Sequence, residues 1–300
     1  MLVREPAVAG MFYPDHEAAC RSELDDVLGG ATSLPAVGGQ ILGGIVPHAG
    51  WICSGAVAGK VFAALRKDPP ETVVLLGAVH YPIGPAAAMF GGGAWRTPIG
   101  SVAIDAELAE AVLDRCELVL HDPEAHRAEH SIEVQVPFIR RLLPQARLLP
   151  IMVPPGDNCP KVGEEVAEAV RQLGRKVAYV GSTDLTHYGP RYRFTPQGLG
   201  RRGVAWAKQV NDRRMLDLIL AMRAEEVVEE AQAHLNACGS GAVSATIAAC
   251  RRSGAERAVL LEHTNSAETL AHIEPGEPSD AVGYAAVVFT RGDSPPQPQA

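Results

Sequence analysis

The stretch GGIVPHAGWICSGAVAGKVFAALRK, residues 43–67, joins an apolar run to a segment whose apolar residues follow helical spacing. The run predicts a β-strand over 43–47 that ends just before His48. The next segment predicts an α-helix over 54–67 with Ser54 as its N-cap. A strand that leads directly into a helix is the repeating unit of α/β proteins. This stretch therefore predicts an α/β fold and places a histidine at a strand end.

The alternation of strands and helices continues along the chain. The run at 72–78 is apolar throughout, which is typical of a strand buried on both faces of a sheet. Further strands are predicted over residues 146–153, 176–182, 257–263 and 281–289, and helices over residues 105–116, 161–174 and 239–254, with one long or two shorter helices over 203–235. The pattern predicts one domain over 1–291, with a mainly parallel or mixed central sheet and helices on both faces. The Pro-rich segment 292–300 is predicted to be a disordered tail.

Composition and charge limit the class of protein. Of the 300 residues, 47% are hydrophobic and 21% are charged, which is enough apolar material for a sizeable core. The net charge of −8 argues against a nucleic acid or an anionic membrane as partner. No apolar run approaches the roughly 18 residues of a membrane span, and the start of the chain lacks the pattern of a secretory signal. We expect a cytoplasmic protein with reduced cysteines.

Three predicted strands end in side chains that can react or bind metal. His48 follows the first strand, His80 follows the second, and Asp184 and His187 follow the strand at 176–182. In open α/β sheets, ligands bind beyond the carboxyl ends of the strands. Because these ends meet at one edge of a parallel sheet, we expect the four side chains to share a site.

A polar cluster precedes an apolar helical pattern in AHRAEHSIEVQVPFIRRLL, residues 125–143. Glu129, His130 and Glu133 lie where that helix begins. They can provide acid–base groups or support for a metal ligand, and an ordinary capping and surface cluster is the alternative. Pro137 predicts either a kink or a later start of the helix.

Cys238 lies directly before Gly239-Ser240-Gly241 and a helix of small residues. A thiol at a helix N-terminus is expected to have a lowered pKa, which suits a metal ligand or a nucleophile. The two glycines allow the backbone to approach a bound group closely. The other thiols are expected to be inert core residues, and two loop histidines are expected to face solvent: Cys20, Cys53, Cys116, Cys159, Cys250, His121 and His126.

Neutral imidazoles and a thiolate are ligands for Zn, Fe(II) or Cu. Three protein ligands leave a coordination position open, as in catalytic metal sites. A metal-free hydrolase or transferase is the alternative, with Cys238 as nucleophile, His187 as base and Asp184 orienting that base. A third interpretation is a binding protein that uses the same cleft without turnover. The residues alone leave these three alternatives open.

Five segments together resemble the Memo family, whose bacterial and archaeal members are called AmmeMemoRadiSam system protein B. They are REPAVAGMFYP, GGIVPHAGWICSG, HRAEHSIEVQVPF, STDLTHYG and ACGSGAV, in this order along nearly the whole chain. The resemblance implies a fold similar to that of class III extradiol dioxygenases. It also implies a mononuclear metal site of two histidines and one cysteine, which match His48, His80 and Cys238.

The resemblance also suggests roles for neighbouring residues. Asp184 and His187 in STDLTHYG, and Glu129 and His130 in AEHSIE, match acidic and histidine positions near the family's metal site. We expect His187, Asp184 and His130 to act in proton transfer and Glu129 to support a ligand. Where the family often has a further histidine after the second ligand, this chain has Tyr81, which could still donate a hydrogen bond to a bound molecule.

The resemblance implies one transition metal ion as cofactor, with Fe(II) expected first and Cu or Zn as alternatives. The implied activity is that of a metal-dependent redox or dioxygenase-like enzyme that acts on a small molecule or peptide. The family name also implies an association with AMMECR-type and radical SAM proteins.

Overall fold

The apolar runs of the sequence form the middle of the central sheet. The computed structural model describes residues 2–29, 37–273 and 276–292, and the predicted tail, residue 292 apart, lies outside them. The strands are β1 (Val3–Arg4), β2 (Gln40–Val46), β3 (Thr72–Gly77), β4 (Ala87–Met89), β5 (Ala94–Thr97), β6 (Gly100–Ala103), β7 (Val119–His121), β8 (Arg147–Met152), β9 (Val177–Ser182), β10 (His187–Tyr188), β11 (Arg257–Asn265) and β12 (Ala281–Arg291). The α-helices are α1 (Glu17–Gly29), α2 (Trp51–Leu65), α3 (Ala106–Arg115), α4 (Val136–Leu142), α5 (Cys159–Leu173), α6 (Arg201–Trp206), α7 (Asp212–Leu220), α8 (Val227–His234), α9 (Ser240–Arg252) and α10 (Ser266–Thr269).

Within the described residues, nine strands form one mixed sheet in the order β10-β12-β2-β9-β3-β8-β4-β7, with β11 paired to β12. The central strands β2, β9, β3 and β8 are parallel to one another. Strand β12 is antiparallel to β2, and β4 is antiparallel to β8. The predicted mixed α/β sheet is confirmed. Its parallel centre brings the carboxyl ends of β2, β9 and β3 to one edge.

Helices cover both faces of this sheet. Alternate residues of β3 pack on opposite faces, with Val74 and Leu76 in the core formed with α3, α5 and α9. Val73 and Leu75 lie in the core formed with α1, α2 and α4. Every residue of β3 is buried, as its continuous apolar run predicts. Strands β1, β5 and β6 form a separate small sheet.

Helix α2 begins earlier than the sequence predicts. Gly50 is its N-cap, and Ser54 lies inside the first turn, where its hydroxyl donates to the Ala49 carbonyl oxygen at 3.0 Å. The Trp51 N–H at the start of the helix donates to the Phe12 carbonyl oxygen at 2.8 Å. The predicted Ser54 cap is wrong, because the helix begins at Trp51, whose N–H is one of the N-terminal donors without an intrahelical partner and is accepted by the Phe12 carbonyl oxygen.

Two other helical segments differ from a simple pattern. Helix α4 begins at Val136, so Pro137 lies in its first turn, where its missing N–H removes no intrahelical hydrogen bond. Of the two alternatives for Pro137, the later helix start is therefore the one observed. The segment predicted as one or two helices over 203–235 forms α6, a π-helical turn at Ala207–Asn211, α7 and α8. None of the described helices is both long and apolar enough to cross a membrane.

Candidate metal centre

The carboxyl ends of β2, β9 and β3 lie side by side and position the predicted site residues. Val46 at the end of β2 pairs with Ser182 at the end of β9, and the Thr183 N–H donates to the Val46 carbonyl oxygen at 2.9 Å. His48 and Asp184 therefore follow neighbouring strand ends. The Asp184 carboxylate accepts a hydrogen bond from the backbone N–H of His48, with 2.8 Å between Oδ1 and N.

Three imidazoles converge at this edge of the sheet. His48, His80 and His130 offer nitrogen atoms that all lie within 4.8 Å of one another. The ring centroid of His48 is 5.1 Å from that of His80 and 5.4 Å from that of His130, and the rings of His80 and His130 are stacked at 4.4 Å. The sequence motifs suggest proton transfer as the role of His130. The structure places it in one cluster with both predicted histidine ligands.

Cys238 joins this cluster from a further segment of the chain. Its Sγ lies 3.2 Å from His48 Nε2 and accepts the Asp184 N–H at 3.3 Å. Gly239 allows this approach, because a Cβ at that position would lie 2.2 Å from the Ser182 carbonyl oxygen. The glycine therefore brings the backbone close to strand β9, whereas the sequence pattern predicts a close approach to a bound group.

Hydrogen bonds fix which nitrogen of each predicted histidine ligand faces the cluster. The Ser182 hydroxyl donates to the Ser131 carbonyl oxygen at 2.8 Å. Its oxygen is then the acceptor for His48 Nδ1–H, 2.9 Å away. His80 Nδ1 lies 2.9 Å from Glu129 Oε1 and donates to that carboxylate. Both rings therefore carry their proton on Nδ1, which leaves the Nε2 lone pairs available to a metal ion.

Glu129 is the buried carboxylate behind these rings. Besides His80 Nδ1, it accepts the backbone N–H groups of His80, His130 and Ser131 at 2.8–2.9 Å. Burial alone would raise the pKa of Glu129, but the hydrogen bond and charge of His80 and the backbone donors outweigh it and hold the pKa well below its usual range. A permanently ionised carboxylate that orients an imidazole supports the expected role of Glu129 in holding a metal ligand.

Burial keeps His48 and His130 neutral and the Cys238 thiol protonated when no metal is bound. Burial, and then the neighbouring His80 and His130, lowers the pKa of His48 well below its usual range. Burial lowers the pKa of His130 to about 4. Burial and the adjacent Asp184 raise the pKa of the Cys238 thiol. The lowered thiol pKa expected from the helix N-terminus is wrong, because desolvation and a neighbouring carboxyl group outweigh the helix.

The remaining predicted residues make their contacts elsewhere. His187 Nδ1 lies 3.0 Å from the Leu185 carbonyl oxygen, and its ring packs edge-on against Tyr192 at a centroid distance of 5.1 Å. Tyr192 was not singled out in the sequence, because no motif marks it. Tyr81 is 49% exposed and makes no hydrogen bond with the described part of the chain. Its predicted contact with a bound molecule stays a prediction.

Arg4 fixes the loop that carries Glu129 and His130, a contact that was not predicted from the sequence. Its guanidinium donates to the carbonyl oxygens of His126 and Glu129, each at 2.9 Å. It forms an ion pair with Glu133, with 2.6 Å between Nη1 and Oε2, and both side chains are buried. The guanidinium also lies over the Trp95 ring, 4.3 Å from its centroid. The amino-terminal motif thus holds a segment more than a hundred positions away.

Glu133 binds the amino-terminal segment through four donors. Besides Arg4, its carboxylate accepts the Ala7 N–H at 2.8 Å, the Val8 N–H at 2.9 Å and the Tyr13 hydroxyl at 2.8 Å. Of the two sequence-based alternatives for this residue, support for the site describes it better than a surface cluster, because Glu133 is only 2% exposed.

The burial of one histidine and one cysteine outside the cluster differs from the sequence-based expectation. His126, expected to face solvent, is fully buried, and its Nε2–H donates to the Ala88 carbonyl oxygen at 3.0 Å. A polar loop can bury an imidazole when a backbone acceptor is in reach, which composition does not reveal. His121 is exposed as expected. Among the thiols expected in the core, Cys53 is partly exposed and the others are buried: Cys20, Cys116, Cys159 and Cys250.

The donor set fits a transition metal ion. In the described chain, His80 Nε2 has no hydrogen-bond partner, and His48 Nε2 contacts the Cys238 sulfur. Metal–sulfur and metal–nitrogen bonds of about 2.3 and 2.0 Å require the two ligand atoms of a tetrahedral site to lie roughly 3.5 Å apart, close to the observed contact. Mixed imidazole and thiolate ligands suit Fe(II), Cu and Zn and disfavour Mg or Ca.

Comparisons with known proteins identify the family of this chain. The family model described as Memo-like protein matches residues 4–288. A MEMO1 family protein of Methanopyrus kandleri is 36% identical over 96% of this chain and 99% of its own. Another, of Methanothermobacter thermautotrophicus, is 38% identical over 95% and 99%. An uncharacterized protein of Escherichia coli K12 has a similar fold, with a TM-score of 0.52 and 11% identity over 83% of this chain and 100% of that one. The matched model spans all five segments that carry the resemblance, and the chain belongs to the Memo family.

Proposed function

We propose that this Memo-family protein holds one transition metal ion at His48, His80 and Cys238 and uses it in redox chemistry on a small oxidisable molecule. Fe(II) is the first choice and Cu the alternative for redox chemistry; Zn is the alternative ion at the same ligands, where it would act only as a Lewis acid. Two observations support the proposal: the ring nitrogens of His48, His80 and His130 lie within 4.8 Å of one another, and the Cys238 sulfur lies 3.2 Å from His48 Nε2. When bound, such an ion can bind and activate O₂ or a substrate.

The chain's own residues would hold the ligands and move protons. Glu129 fixes His80 through its Nδ1–H, and Ser182 fixes His48 in the same way. His130 is neutral and stacks on His80, so it can accept a proton beside the metal ligands. His187, the first residue of β10, is the second candidate for proton transfer. Asp184 accepts the His48 backbone N–H with its carboxylate and donates its own backbone N–H to the Cys238 sulfur, so it positions both ligands.

His130 is an alternative third ligand. Its ring nitrogen lies within reach of the same ion as those of His48 and His80. We assign Cys238 as the third ligand because its sulfur is already in contact with a ligand nitrogen, and thiolates bind all three candidate metals. The two ligand sets differ in whether a thiolate charge-transfer band is expected.

The metal-free hydrolase has less support from the geometry. A Cys–His–Asp triad requires His187 between Cys238 and Asp184. Instead, His187 Nδ1 bonds to a backbone carbonyl, and the Asp184 carboxylate accepts from the His48 backbone. The raised pKa of the Cys238 thiol also disfavours a free nucleophile.

Two further parts of the proposal concern the cell. We propose a cytoplasmic location, and an association with AMMECR-type and radical SAM proteins as the setting in which the substrate is made or used. Copurification of the tagged chain with either partner from its own cells would support the association. A binding role without turnover is the outcome if metal and partner bind but no small molecule is oxidised.

The test is anaerobic purification followed by elemental analysis and an absorption spectrum. We expect about one metal ion per chain, and a strong loss of metal in His48→Ala and His80→Ala. Cys238→Ser should abolish the thiolate charge-transfer band. His121→Ala, at an exposed histidine, is the control and should bind metal normally. Normal metal content in both ligand-histidine variants would overturn the proposal.

Two more variants refine the assignment. If His130→Ala loses the metal and Cys238→Ser retains it, the ligand set is the three imidazoles. Asp184→Asn keeps an oxygen that accepts the His48 N–H, so it should retain most of the metal while impairing turnover of any substrate found.

A further inference from the structure

An open groove of about 880 Å³ lies next to the candidate metal centre. Its walls are the amino-terminal loop around Met11 and Phe12, helix α1, the first turn of α2, and the turn that follows α10. Small-molecule sites have volumes of about 300–1,000 Å³, so the groove is large enough for a small ligand. It is separate from the residues that form the metal cluster.

The groove is lined by apolar side chains that face solvent. Met11 is 73% exposed, Ile52 is 61% exposed and Ile273 is 49% exposed, and all three line it. Single exposed apolar residues are ordinary, but several around one concave surface are typical of a binding site. The apolar wall requires a ligand with a hydrocarbon part.

One wall of the groove carries two carboxylates of helix α1. Glu23 and Asp26 line the groove, and neither forms an ion pair within the part of the chain that the structure describes. Other acidic residues of the same helix do form ion pairs: Glu17 pairs with Arg21 at 2.8 Å, and Asp25 pairs with an arginine of α4 at 2.8 Å. Burial and the nearby Asp26 raise the pKa of Glu23, as expected for a carboxylate without a counter-charge.

Phe12 connects the groove to the cluster. Its side chain lines the groove, and its ring packs against the His130 ring at a centroid distance of 4.8 Å. The Phe12 ring would therefore lie between a molecule bound in the groove and the histidine cluster.

We propose that the groove binds a small amphipathic amine, with its hydrocarbon chain against Met11, Ile52 and Ile273 and its ammonium group at Glu23 and Asp26. This inference goes beyond the proposed function, because the Phe12 ring lies between the groove and the histidine cluster. The charge of the wall selects a cation, and the size of the groove selects a small molecule.

The experiment is isothermal titration calorimetry with hexylammonium, hexanol and hexanoate on the metal-loaded protein at neutral pH. Hexylammonium is fully protonated there, so it has no lone pair to offer the metal. We expect its Kd to be about two- to fivefold lower than that of hexanol, as for a partly exposed ion pair, and hexanoate to bind more weakly than both. High salt should reduce the preference.

Variants locate the binding. Glu23→Gln with Asp26→Asn should bring the Kd of hexylammonium up to that of hexanol. Glu17→Gln, on the same helix outside the groove, is the matched control and should change the Kd by less than about twofold. Ile52→Ser should weaken both hexylammonium and hexanol.

Three results would overturn the inference: no measurable binding of hexylammonium, equal Kd values for the three compounds, or an unchanged preference in the double variant. The metal content of every variant is measured alongside. Normal metal content without a preference for the amine would refute only the proposed amine site. The proposed metal site is tested separately by the His48→Ala and His80→Ala variants.

Discussion

The buried carboxylate of Glu133 should be among the most costly side chains to change outside the metal cluster. Glu133→Gln keeps the shape but removes the charge. The carboxylate now accepts four donors: one from Arg4, two backbone N–H groups and the Tyr13 hydroxyl. A glutamine has one oxygen acceptor, and its NH₂ group would face donors in place of the other oxygen.

The expected loss in the free energy of unfolding follows from the Arg4 guanidinium, which stays buried in the variant. The Arg4 side chain is only 4% exposed, so the variant leaves its guanidinium without a counter-charge. Breaking a buried pair by removing one partner costs about 3–5 kcal/mol. The three backbone carbonyls that Arg4 still contacts favour the lower half of that range. We expect the free energy of unfolding to fall by about 3 kcal/mol.

Urea denaturation followed by circular dichroism measures the change, with m-values compared to exclude a change in cooperativity. Glu124→Gln is the matched control, because its ion pair with Arg127 is about four-fifths exposed on both sides, and it should cost less than about 0.5 kcal/mol. If Glu133→Gln lost no more stability than this control, the buried pair between Arg4 and Glu133 would not stabilise the fold, and the reasoning would be refuted.

Three other substitutions have expected outcomes. Gly239→Ala would place a Cβ 2.2 Å from the Ser182 carbonyl oxygen. It should lower the free energy of unfolding by about 1–3 kcal/mol in denaturation experiments and weaken any thiolate charge-transfer band. Gly84→Ala, with nothing within 4 Å of the added Cβ, is the control and should be neutral. Glu129→Gln should raise the metal dissociation constant about 10- to 100-fold in a chelator competition, because the imidazole it orients loses its carboxylate acceptor. Burial lowers the pKa of His126 to about 4, so the unfolded chain binds the proton first as pH falls from about 6.5, and the folded state loses stability down to about pH 4. His126→Gln keeps a donor for the carbonyl it contacts and should flatten this pH dependence by up to about 3 kcal/mol in denaturation series at several pH values.

Each of these has a contrary result. Equal stabilities of the two alanine variants would mean that the close approach at position 239 relaxes freely. An unchanged metal affinity in Glu129→Gln would mean that the ring is oriented by packing alone. An identical pH dependence with and without His126 would assign the titration to the other buried histidines.

Much of the fold could be predicted from apolar runs. Strands β2, β3, β8 and β9 are buried in the middle of the sheet, and their apolar runs predict the ends of β3, β8 and β9 within one residue, whereas β2 begins three residues before its predicted start. Strands of two to four residues, such as β4 and β10, carry too few positions for any period to show. The start of α2 was misplaced because its first donor is satisfied by a carbonyl that sequence proximity cannot reveal.

The sequence predicts those site residues that directly follow the ends of the parallel strands. The rule that ligands bind beyond parallel strand ends correctly placed His48, His80 and Asp184 at one edge. The glycines after Cys238 were expected to approach a bound group, whereas Gly239 approaches the Ser182 carbonyl oxygen of β9. The ion pair between Arg4 and Glu133 could not be predicted, because the two residues lie 129 positions apart and nothing in either segment indicates that they meet.

The contact between Cys238 and His48 joins positions 190 residues apart in the sequence. An ion bound by both would act as a non-covalent cross-link that closes a very long loop, and it would favour the folded chain in proportion to the logarithm of its free concentration. Melting temperatures of this protein are then comparable only between samples of equal loading. A variant that simply empties the centre would mimic a core defect while leaving the packing untouched.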